Sequence, residues 1–159
     1  MMLLLLIFKQ DVKDRMVWVW AFPLLAVALA WLNYREQHIY DFRQLAVNLI
    51  FLFVQLGLVS LYFSIKNKTW TNITSELLGW GDILFLCALA FYLPVVNFIV
   101  FYLSSLLLIL LYWVLRKPNN RHIPLAGLQA LLFALLLCSG WLVPALNLQQ
   151  TDWILKLMA

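Results

Sequence analysis

Charge is what this chain has least of. Only 11% of its 159 residues are Asp, Glu, Lys or Arg, where soluble domains carry about 25%. With 65% of the residues hydrophobic, a water-soluble fold has too few polar side chains to cover its apolar surface. The hydrocarbon core of a bilayer removes that difficulty, and a span needs about 20 mostly apolar residues. Cysteine is also scarce. Cys87 and Cys138 both lie inside apolar runs, which suits small packing residues better than a disulfide or a metal pair. The histidines, His38 and His122, fall in breaks on opposite sides of the chain's expected course. No His, Cys, Asp or Glu cluster has metal-ligand spacing, so neither a metal nor another cofactor is expected. Linkers, low-complexity tracts and internal repeats are missing, which argues for one domain over residues 1–159. The apolar Met1–Phe8 is followed at once by Lys9-Gln10-Asp11 and not by a small-residue cleavage site, so a removable signal peptide is not expected.

What is present is a series of apolar runs separated by short polar breaks. The runs cover residues 1–8, 16–32, 45–65, a stretch from near Asp82 to near Pro94, 96–115 and 123–146. A backbone in lipid must satisfy its own hydrogen bonds. The expected fold is therefore all-α, a polytopic membrane bundle of six transmembrane helices with the first one short. The tail 147–159 is expected to touch the interface through Trp153-Ile154-Leu155. The basic residues orient the bundle. Lys9, Lys13 and Arg15 lie in the first break, Lys66 and Lys68 in the third, and Arg116, Lys117 and Arg121 in the fifth. The other side holds Arg35, Arg43 and Lys156. The positive-inside rule puts the first set in the cytoplasm and both chain ends outside. The net charge of +4 is thus a matter of topology and contact with lipid headgroups, not of nucleic-acid binding.

Two acids stand out on the cytoplasmic side. Asp11 lies in Lys9-Gln10-Asp11-Val12-Lys13-Asp14-Arg15, just after the first run, and Asp82 in Gly79-Trp80-Gly81-Asp82, just before the fourth. An acid at or in a membrane is costly and is a functional candidate for that reason. Two carboxylates at short range cannot both ionise easily, so the pair holds one proton between them. One can then act as general base on a water while the other, as general acid, polarises a scissile carbonyl. Gly79 and Gly81 leave room for a close backbone or substrate strand. The plainer alternatives are an N-cap role for Asp82 and a solvated loop acid for Asp11.

Gly79-Trp80-Gly81-Asp82 resembles the GxGD motif of intramembrane aspartyl peptidases. Residues 77–90, Leu-Leu-Gly-Trp-Gly-Asp-Ile-Leu-Phe-Leu-Cys-Ala-Leu-Ala, resemble the type IV prepilin and preflagellin peptidase stretch in which GxGD leads into an apolar helix. Gln10-Asp11-Val12-Lys13-Asp14-Arg15 resembles that family's first-aspartate segment, and Ile123-Pro124-Leu125-Ala126-Gly127 its Ile-Pro lead into the last helix. The resemblance implies a catalytic pair of Asp11 and Asp82 supported by Gly79 and Gly81. It further implies a membrane aspartyl endopeptidase of the inner or plasma membrane, cutting the basic leader of pilin-like precursors at the cytoplasmic face. The chain departs from the family in three ways. Ile83-Leu84 follows the aspartate where a lysine is common, the first run is short, and the cysteine-rich insert linked to N-methylation is missing, so cleavage without methylation is expected. A catalytically inactive homologue acting in pilus-like assembly and a small proton or cation transporter are the alternatives.

The remaining polar residues support lesser roles. A second register, Trp31 to Asp41, puts Asn33 where the first acid belongs, but on the face opposite Asp82, where no proton could be shared. Ser104-Ser105 suits packing or back-bonding better than nucleophilic work. Asn48 and Gln55, seven apart on one helix face, are expected to bond to other helices or line a polar cavity.

Overall fold

Helix is the form that each apolar run adopts. The computed structural model describes residues 1–14, 16–38, 41–67, 79–116, 124–142 and 148–150. Among these are six helices and no strand: α1 Met2–Asp14, α2 Ala21–Gln37, α3 Phe42–Asn67, α4 Trp80–Leu89, α5 Val95–Arg116 and α6 Leu125–Leu142. The tail motif Trp153-Ile154-Leu155, His122 and much of the third and fifth breaks lie outside the described residues.

The helix boundaries differ from the apolar runs in informative ways. α1 continues through Lys9–Asp14, because that segment has no Pro or Gly to stop it and its residues tolerate helix. Asp11 therefore sits in the closing turns of a helix and not in a loop. α2 begins at Ala21, several residues into the second run, with Pro23 in its first turn, where the missing N–H costs nothing. It ends at His38, which takes a left-handed φ of 58° and donates its N–H to the Tyr34 carbonyl at 2.8 Å, a helix-terminating geometry. α4 is the shortest at 10 residues, about 15 Å. Gly79, in extended conformation, takes its N-cap position. Asp82 is thus not the N-cap residue; it stands three positions further on.

α4 is the centre of the molecule. Phe85, Leu86, Ala88 and Leu89 are all buried. α1 packs mainly along α6, with Leu4 and Ile7 fully enclosed, and α2 packs mainly along α4. Phe133 of α6 meets Phe101 and Tyr92 edge-on, at centroid distances of 5.5 and 6.0 Å. The outward faces are apolar: Val27, Leu58 and Leu115 are 71%, 63% and 76% exposed. Surface of that kind marks contact with membrane or a partner. Among the described residues, two helices are long and apolar enough to cross a membrane, over Phe42–Lys66 and Val95–Leu115.

The turn after α4 is held by side-chain amides. Asn48 donates to the Ala90 and Leu93 carbonyls at 3.3 and 2.9 Å, Asn33 to Phe91 at 3.0 Å, and Gln149 to Tyr92 at 2.8 Å. Four consecutive carbonyls with no helical partner are thereby satisfied. That requirement is strict for buried backbone. Asn48 accordingly serves α4 from α3, and Asn33 lies at the far end of α4 from Asp82.

Candidate active site

The first turn of α6 has two backbone donors that its own helix cannot use. The opening N–H groups of any helix lack intrahelical acceptors, and an N-cap side chain normally serves the second or third of them. Pro124 occupies that position, its carbonyl accepting from Leu128 at 3.2 Å, and proline offers no side-chain oxygen. Other helices supply the acceptors. The Ala126 N–H donates to Asp82 Oδ1 at 2.6 Å, and the Gly127 N–H donates to Asp11 Oδ2 at 2.6 Å. These lengths are in the range of charge-assisted bonds.

Two acids 71 positions apart are thus held by adjacent peptide units. Backbone bond lengths keep consecutive helical nitrogens about 3 Å apart, so the two accepting oxygens lie within roughly 8 Å of each other. Asp82 has a second anchor, since its Oδ2 accepts the Gly79 N–H at 3.0 Å. This is the returning half of a capping box, the only half a glycine N-cap permits. Both carboxylates are half-buried. Burial and the nearby charge of Asp11 disfavour an ionised Asp82, whereas the amides of Ala126 and Gly79 favour it. The positive end of the α6 dipole stabilises negative charge on either acid.

The glycines differ in what they allow. A Cβ at Gly79 would stand 3.3 Å from Asp82 Oδ2, and one at Gly81 would meet the Phe22 ring at 3.4 Å, an ordinary contact. Neither has a positive φ. The tightest approach is at Gly127, a residue the sequence pattern did not single out as part of the site. The signal available was its place directly after Ile123-Pro124 at a helix start.

The pair lies at the ends of short helices and alongside the middle of long ones. Gln129 of α6 donates to Ser105 of α5 at 3.1 Å, and Phe133 meets Phe101, so the two helices run antiparallel. Ala126 is then level with about Leu108, and α5 continues roughly 12 Å further to Arg116. α3 overshoots likewise: Asn48 holds the turn after α4 and Leu52 clusters with Leu86, which carries α3 about 16 Å beyond the level of Asp82. Beneath the carboxylates Gln129 and Ser105 are buried, and the Gln129 carbonyl oxygen has no partner among the described residues. Ser104 and Ser105 donate to the Phe101 and Tyr102 carbonyls, one helical turn back. Cys87 and Cys138 are free thiols. Among the described residues, no group of three or more His, Cys, Asp or Glu could hold a metal ion.

No protein-family model matches this chain, nor does any curated protein or solved structure.

Proposed function

We propose that the protein is a membrane aspartyl endopeptidase similar to the prepilin and preflagellin peptidases, with Asp11 and Asp82 as its acid–base pair. The observation that carries this reading is the hold of two remote carboxylates by the adjacent amides of Ala126 and Gly127. A structural cap needs one acceptor, and a second half-buried acid beside it is expensive unless it is used. In the proposed reaction the ionised carboxylate takes a proton from water as the oxygen attacks the scissile carbonyl carbon. The protonated carboxyl gives its proton to the carbonyl oxygen. Collapse of the tetrahedral intermediate breaks the C–N bond and sends a proton to the leaving amine. The titration belongs to the pair.

The same reading takes all six helices as a bundle in the inner or plasma membrane, with the pair on the cytoplasmic side. The substrate is a pilin-like precursor whose apolar helix stays in the bilayer while its basic leader is cut away. The test is cleavage of such a precursor by purified protein in detergent or liposomes. Asp11→Asn and Asp82→Asn are each expected to lose about 10²-fold or more. Wild-type activity in either variant would dismiss the pair.

A second reading, proton or cation transport, draws on the recessed level of the two acids and on buried Gln129 and Ser105 below them. It expects ion flux in proteoliposomes that Asp82→Asn abolishes, with no precursor cleavage by wild type.

A further inference from the structure

We infer that Gly127 is the positioning residue of the pair: the absence of a side chain there lets α1 bring Asp11 onto the first turn of α6, beside Asp82. A methyl group at this position would stand 2.8 Å from Asp11 Cβ, 3.0 Å from Oδ2 and 3.3 Å from Cγ. The nearest of these atoms is next to the α1 backbone, so no side-chain rotation relieves the collision. Either α1 shifts or α6 does. α1 is pinned along α6 by Leu4 and Ile7, which are 1% and 0% exposed, so a retreat opens the core. A retreat also lengthens the Gly127 N–H bond to Asp11, while Ala126 still holds Asp82. One substitution on α6 therefore separates the two acids without touching either.

The catalytic consequence rests on the peptidase reading; the packing consequence does not. Gly127→Ala is expected to lower kcat by about 10²-fold through misplacement of one acid, with KM little changed.

Thermal stability decides the packing half without substrate. Gly127→Ala is expected to lower the melting temperature in the wild-type chain. In an Asp11→Gly background the colliding atoms are gone, and the same substitution is expected to raise it, because alanine is the better helix former. If Gly127→Ala does not fold alone, folding of the double variant is the rescue that supports the contact. A fall of equal size in both backgrounds overturns the inference. So does a Gly127→Ala protein with wild-type kcat, when Asp11→Asn and Asp82→Asn abolish cleavage; that outcome leaves the peptidase reading standing. If neither Asn variant lowers cleavage, the peptidase reading has failed and the stability comparison alone decides the role of Gly127.

Discussion

Single polar atoms settle most of this molecule's local questions. Asp82 was open to an N-cap role, yet its carboxylate bonds Gly79 with one oxygen and Ala126 with the other, so it ties α4 to α6 as well as closing its own first turn. Asn48 shows how such bonds weigh against each other. It is fully buried, donates to two carbonyls, and keeps an Oδ1 with no partner among the described residues. Asn48→Leu removes that orphan oxygen but strands two carbonyls, each costing about 1–3 kcal/mol when unsatisfied. Two losses outweigh one gain. A net destabilisation of about 1–2 kcal/mol is expected, softened as helix–helix polar contacts in membranes usually are. A denaturant titration in mixed micelles measures it, and an unchanged midpoint would mean that those carbonyls find other donors.

At the scale of elements, unequal lengths matter more than number. α3 has 26 residues and α5 has 22, while α4 has 10 and α1 has 13. Registers fixed by Ser105–Gln129 and by Asn48 at the turn after α4 place both carboxylates well short of the ends of α3 and α5. On the proposed membrane placement the acids are recessed between two long helices. Spin labels at two exposed positions of α5 test this, with Cys87 and Cys138 first replaced by Ala. A label at Leu108→Cys, level with Ala126, is expected to relax with oxygen dissolved in lipid, and one at Leu115→Cys with a water-soluble relaxant. Equal access of the aqueous reagent to both would put the pair at the surface.

For the whole molecule, the exposed apolar faces and the two spanning-length helices found among the described residues agree with a membrane home. Helix order sends Lys13 and Lys66 to the ends of α1 and α3, and Arg35 and Arg43 to the opposite turn. In oriented vesicles, single cysteines at Lys13 and Lys66 are expected to react with an impermeant maleimide from one side, and cysteines at Arg35 and Arg43 from the other. Labelling of all four from one side would contradict the proposed orientation.

Composition alone made the chain helical and apolar, and run lengths located α3 and α5 to within a few residues, because hydrophobic burial and backbone satisfaction leave little choice over such long segments. The two acids were legible one at a time, since charge is conspicuous in so apolar a chain. Their common holder was not. That adjacent amides of α6 hold Asp11 and Asp82, and that Gly127 lets α1 approach, depends on how three remote helices pack. Backbone donors carry no mark in a sequence, and a missing Cβ acquires meaning only when another chain segment comes within its reach. The side-chain amides around the turn after α4 were hidden for the same reason: each answers a carbonyl 42 to 58 positions away, a distance that only the tertiary structure closes.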